Sequence, residues 1–274
     1  ANISFIFQIQ NIQLRIYQTI NKFHSVFVFR TKLTSVCDEL FRFHKYLSRI
    51  YKKDIDNRIV SPSECRTIAV LIHELNELTE LFKSLDADNY IETIKNCDPS
   101  FVNNYIVNLK KSIYGFCSAV NAEDLSYLEF FKSNLELDFI DWNDLLQKLN
   151  DLPKISLEIT KKVEQIIKQM KSKAIAENTN FETCYITDDE FNQLMNKFDI
   201  WNVDEKDLII QKRLGYDGSY LVFDGYQKST KRTIICKKIT SKKIPRYLFT
   251  KFRLESELLS KLDHFSVVSF VGVS

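Results

Sequence analysis

Apolar residues recur at intervals of three and four along most of the first 176 positions. One set is Leu33, Val36, Leu40, Phe43, Leu47 and Ile50, and a second is Ile68, Leu71, Leu75, Leu78, Phe82 and Leu85. Val102, Ile106, Leu109, Ile113 and Phe116 form a third, and Ile159, Val163, Ile166 and Met170 a fourth. Such spacing puts one apolar stripe on each helix. Stripes of similar length are buried by packing on one another, so residues 1–176 are predicted to form an all-α helical bundle. Ser61-Pro62-Ser63-Glu64 offers an N-cap hydroxyl, a proline in the first turn and a glutamate that reaches back. Asp98-Pro99 and Thr187-Asp188-Asp189-Glu190 are predicted to open two further helices. Residues 5–10 and 26–29 carry alternating or β-branched side chains and read equally as helix or strand.

Beyond the bundle the pattern changes. Residues 177–202 read as a connector, polar at 177–180, with a short capped helix over 188–198. Short β-rich runs follow at 208–214, 220–223, 233–238 and 267–273, with turn residues at 215–218 and at Gly225. Between the third and fourth runs one helical pattern covers 246–262. The expected fold class is α+β: a helical bundle, then a second domain over 203–274 of antiparallel strands with one helix.

Composition narrows the function classes. A chain of 274 residues that is 45% hydrophobic and 27% charged can bury a sizeable core. Its formal charge of +2 gives no general attraction to nucleic acid or to a membrane surface. Residues 3–20 are interrupted by Gln8, Gln10, Asn11, Gln13 and Arg15, too polar for a membrane span. The six cysteines include no Cys-x-x-Cys pair and the four histidines have no metal-ligand spacing. Reduced thiols in a cytoplasmic protein, with no metal site, are therefore expected. His24, His44 and His73 fall on helical segments without catalytic partners. The lysines of the last bundle helix (Lys161, Lys162, Lys168, Lys171 and Lys173) are interspersed with Glu158 and Glu164 and read as a solvated face.

One constellation carries chemistry. Leu248, Phe252, Leu259 and Leu262 share a stripe of the 246–262 helix, and Glu255 falls on the same stripe. A carboxylate facing a packed sheet is costly unless paired. The preceding strand offers Lys237, with Lys238 on the opposite face because strand side chains alternate. A buried Lys237–Glu255 ion pair is the expectation.

The residues around that pair resemble the small, nucleotide-binding lobe of protein kinases, closest to the tyrosine-kinase-like group. The run 214–225, Leu-Gly-Tyr-Asp-Gly-Ser-Tyr-Leu-Val-Phe-Asp-Gly, looks like the glycine-rich loop and second strand. Ile234-Ile235-Cys236-Lys237 looks like the third-strand motif that ends in the phosphate-binding lysine. Residues 255–264 are similar to the end of the regulatory helix, and 267–273 to the fourth strand. The resemblance covers about residues 203–274. It implies that Gly215 and Gly218 let backbone amides approach phosphate, that Val222 packs on adenine, and that Lys237 holds the α- and β-phosphates of ATP bound with Mg²⁺. Glu255 would orient Lys237.

The sequence also departs from that pattern. Asp217 and Tyr220 take the second and third glycine places, Ile235 replaces the small residue that roofs the adenine slot, and Phe265 stands where proline is usual. A carboxylate repels phosphate and a tyrosine blocks close backbone approach, which predicts weak or absent nucleotide binding, as in a pseudokinase. No His-Arg-Asp or Asp-Phe-Gly motif occurs, and residue 274 directly follows the fourth-strand run. This chain is therefore expected to lack a catalytic lobe and to contain no catalytic residues. The resemblance implies ATP-dependent serine/threonine phosphotransfer and a signalling role for a full-length member. The alternatives are a pseudokinase or a helical adaptor that acts as a scaffold, with protein partners held by the bundle.

Overall fold

The computed structural model describes residues 4–53, 59–120, 135–152, 157–177, 179–197, 202–217, 220–239, 243–262, 264 and 266–274. The chain divides into two compact units, 1–167 and 168–274, so the division falls inside a helix that runs on to Ala176. The fold is α+β, helical first and with a small sheet after.

The first unit holds α1 (Phe5–Phe23), α2 (Arg30–Lys53), α3 (Pro62–Ser84), α4 (Tyr90–Asn96), α5 (Phe101–Ala119), α6 (Leu135–Asn150) and most of α7 (Leu157–Ala176). α1 packs on α2 and α3, α3 on α5, and α2 on α6. The four apolar stripes read from the sequence are buried, with Ile50 and Met170 half-buried at their ends. Each fully buried Leu, Ile or Phe contributes about 1.5–3 kcal/mol relative to exposure, so this interior dominates the unit's stability. The α3 capping box forms in both directions: the Glu64 amide donates to Ser61 Oγ, and the Ser61 amide donates to the Glu64 carboxylate. Asp98 accepts from the Ser100 amide, and α5 starts at Phe101.

The two ambiguous segments separate. Residues 5–10 lie in α1, whose buried face is Phe5, Ile9, Ile12, Ile16, Thr19 and Phe23. Residues 26–29 turn between helices, with a single bridge from Val26 to Asp86. Phe29 there adopts φ 58°, unusual for a side chain of that size. Its ring is held edge-on to Trp142 at 4.9 Å and to Phe101 at 5.4 Å, so the packing fixes the conformation. Four of the α7 lysines read as a solvated face, Lys161, Lys168, Lys171 and Lys173, are exposed, and Lys162 is the exception. Its ammonium donates to the carbonyls of Ile94, Lys95 and Cys97 at the end of α4, groups a helix C-terminus leaves open.

The second unit carries a 3₁₀ turn (Phe181–Cys184), α8 (Asp188–Lys197), a 3₁₀ turn (Glu205–Asp207), β1 (Leu208–Asp217), β2 (Tyr220–Gln227), β3 (Arg232–Lys238) and α9 (Arg246–Leu259). The strands form one antiparallel sheet in the order β1-β2-β3. Gly225 is not a turn residue. It lies within β2, where a side chain would meet the Ile209 carbonyl at 2.8 Å. The β2–β3 turn comes later and is organised by Asp207, which accepts from the Ser229 amide, the Ser229 hydroxyl and the Gln227 amide group.

The expected fourth strand does not form. Strand pairing of residues 267–273 is seen, among the described residues, at Val273, through one parallel bridge to Asn202 and one bond from the Val203 amide to its carbonyl. A β-rich run becomes a strand only where a neighbouring strand pairs with it along its length, and the described pairing reaches its end at Val273. The helix predicted over 246–262 ends at Leu259, and the amides of Lys261 and Leu262 close a final turn. Among the described residues no helix is long and apolar enough to cross a membrane.

Candidate functional site

Three of the expected site residues lie in one row across the sheet. Gly215 of β1 is opposite Val222 of β2, and Val222 is opposite Lys237 of β3. Directly opposed residues share a face, so the row sits on one side, and Lys238, opposite Leu221, is on the other. A register shift between Arg213 and Gly215 sets this alignment. Among the described residues nothing lies within 4 Å of where a Gly215 side chain would begin, which leaves the backbone there open to close approach. Gly218 lies outside the described residues.

α9 supplies the carboxylate. Lys237 Nζ donates to Glu255 Oε1, joining residues 18 apart in sequence. The pair is less buried than its place on an apolar stripe predicts: the two side chains are 37% and 32% exposed. The stripe itself is only partly covered. Leu248 is buried and Phe252 and Leu259 are half-buried, while Leu262, past the end of the helix, is 41% exposed. α9 turns Leu254 and Leu258 outward, so the sheet and helix do not close a sealed interior around the pair.

Two departures from the kinase pattern take physical form. Tyr220, two residues before Val222 on the same face, is 2% exposed, and Lys237 Nζ sits 5.7 Å from its ring centroid. The lysine is thus enclosed by a carboxylate on one side and an aromatic ring on the other. Ile235, on the same face as Lys237, is a bulky apolar side chain that stands 56% exposed.

The residues present fit a nucleotide's phosphates in part. An ammonium held by a carboxylate, on the same sheet face as open glycine backbone with Val222 between them, is suited to an anion. The fit to a metal is poor, because among the described residues no group of three His, Cys, Asp or Glu side chains gathers. His44 is pushed below its ordinary value by burial, in the first unit and away from any such group.

The sequence reading missed the anchorage of α9. Arg246, in its first turn, donates to both carboxylate oxygens of Glu190, at 2.5 and 3.1 Å, and to the carbonyls of Thr183 (2.9 Å) and Tyr185 (3.3 Å). The Arg246 hydrogen bond, helped by the Thr187 amide, holds the Glu190 carboxyl well below the usual carboxylate range, at about 2. The Thr187–Glu190 capping box was legible, but its partner lies 56 residues further on. Comparison of this chain with protein-family models, with curated protein sequences and with solved structures finds no match.

Proposed function

We propose that residues 203–274 are a protein-kinase-like small lobe with weak affinity for nucleotide. The observation that carries this reading is the Lys237–Glu255 contact, made at the end of the Gly215–Val222–Lys237 row. A sheet lysine oriented by a helix carboxylate, in one row with half-buried Gly215, is an arrangement for the α- and β-phosphates of ATP. Val222 would lie under the adenine, and Gly215 would let the backbone approach the phosphates. Serine/threonine phosphotransfer is the activity this resemblance implies where such a lobe is joined to a catalytic one; Mg²⁺ would then be held by residues of that lobe. A cytoplasmic signalling protein fits six cysteines with no Cys-x-x-Cys spacing.

The test is a thermal-shift titration of the full chain with ATP·Mg²⁺. A small shift, visible only at high nucleotide concentration and removed by Lys237→Met, is the expected outcome. An equal shift in Lys237→Met would exclude the site, and no shift at all would exclude nucleotide binding.

Tyr220 favours a second reading. Its buried ring beside Lys237 occupies space that phosphate approach requires, as in a pseudokinase scaffold. On this reading both units bind proteins. The first would do so through surfaces such as the α1 face bearing Phe7, Leu14 and Tyr17, which are 53–62% exposed.

A further inference from the structure

We propose that residues 181–197 are a clamp that positions α9, and so decides whether Glu255 reaches Lys237. The inference rests on reading that pair as the functional one, but its mechanics are independent of any nucleotide.

Three kinds of contact tie this segment to the start of α9. Backbone pairing joins Tyr185 to Pro245, and the Ile186 amide donates to the Ile244 carbonyl at 3.1 Å. Arg246 binds Glu190 through both oxygens and adds two carbonyls of the 3₁₀ segment. Buried Leu194 and half-buried Met195 of α8 form an apolar cluster with Phe249 and Phe252 of α9 and with Phe270 and Val273.

The position of Arg246 makes little sense for α9 alone. A cation in the first turn of a helix meets the positive end of its dipole, which is unfavourable. Pro245, the N-cap, provides no side-chain cap either. Glu190 reverses the local charge and turns an unfavourable residue into an attachment point. Glu255 lies nine residues beyond Arg246, about 13 Å along the axis. Leu254 and Leu258 are exposed, so the outer side of that stretch is not packed. At the far end the helix meets Lys237 through a pair about a third exposed, a class of contact worth about 0–1 kcal/mol. Backbone pairing, a four-bond guanidinium and an apolar cluster at one end outweigh that contact at the other. The clamp sets the helix, and the helix sets the pair. Arg246, Glu190 and Leu194 are thus positioning residues.

The experiment is pulsed acylation of lysines in the full chain, read by peptide mass spectrometry, with exposed Lys261 as the internal reference. Glu255→Gln defines the labelling of a released Lys237. Arg246→Ala and Leu194→Ala are expected to raise Lys237 labelling several-fold toward that level, and Arg246→Lys to give an intermediate value. Lys237 labelling unchanged in both, while hydrogen exchange shows residues 181–197 released, overturns the proposal. If either variant also exposes the amides of β1–β3, Glu190→Gln replaces it: a rise with the sheet still protected supports the clamp, and no rise overturns it. ATP·Mg²⁺ titration of the same proteins separates the two claims. Increased labelling with no nucleotide binding in any protein leaves the clamp standing and removes the nucleotide reading. Wild-type binding that survives Arg246→Ala and Leu194→Ala unchanged removes the clamp.

Discussion

The two units of this chain use polar residues in opposite ways. In the first, charges are taken deep inside and answered there. Lys32, 5% exposed, pairs with Asp138 and Asn103, and Asp141, 1% exposed, accepts from the amides of Thr31 and Lys32 at 2.9 Å each. In the second, the side chains of the ion pairs Lys237–Glu255 and Arg246–Glu190 are 32–47% exposed. The first arrangement is costly to break, since a partner left behind is a buried charge. Of the second kind, a singly bonded exposed pair such as Lys237–Glu255 costs little to open, whereas Arg246 is held by four bonds. The difference also tracks apolar burial: α1, α2, α3 and α5 each bury a continuous stripe, whereas α9 buries Leu248 and Ser256.

The comparison is broken most directly in the first unit's interior. Phe116 is fully buried and edge-on to Phe43, so Phe116→Ala should cost about 3–5 kcal/mol. Urea unfolding followed by Trp142 fluorescence in a Trp201→Phe background measures it.

Next comes pH. Burial pushes the Asp141 carboxyl up to about 7, against the pull of the Lys32 and Thr31 hydrogen bonds and with Asp144 adding to the rise. A carboxyl protonated in the fold and ionised when unfolded stabilises at low pH and loses that contribution as pH rises through the folded value. The contribution of Asp141 to the first unit's stability should therefore fall as pH rises from about 4 to 7, by about 1 kcal/mol per pH unit. Asp141→Asn should flatten that slope in the same urea measurement.

In the second unit, Leu194→Ala should cost about 2–3 kcal/mol, the low end for such a change because its neighbours Met195, Phe249 and Phe252 are only partly buried and can settle. Amide protection of β2 and β3 under native conditions should stay higher than that of α9 in this variant. Ser61→Ala removes half of the α3 capping box and should cost about 1 kcal/mol by Trp142 fluorescence. The smallest effect is Glu255→Gln, expected under about 1 kcal/mol in global stability. A cost above that of Ser61→Ala would show the Lys237–Glu255 pair to be structural and would erase the contrast between the units.

Much of the first unit was legible because its signals are local. A stripe such as Leu71, Leu75, Leu78 and Phe82 is visible from spacing alone, and Ser61 and Glu64 meet within one turn. Alternation along β3 was enough to turn Lys237 and Lys238 to opposite faces. Gly225 was misread as a turn because nothing nearby signals that the Ile209 carbonyl comes within 2.8 Å of it. The fourth strand failed for a related reason: β-rich composition reports what a segment tolerates, not whether a partner lies beside it.

The sequence by itself determined the helical stripes, the two capping boxes, the change to short strands near residue 208 and the choice of Lys237 over Lys238 as the lysine on the face that meets Glu255, since each depends on neighbours within a turn or along one strand. Tertiary structure alone decided that Asp141 caps a helix 110 residues away, that Arg246 anchors α9 on Glu190, that Tyr220 lies against Lys237 and that the Lys237–Glu255 pair stays partly wet. Periodicity specifies the face a side chain takes, but the depth of its burial and its distant partners are set by how the elements pack.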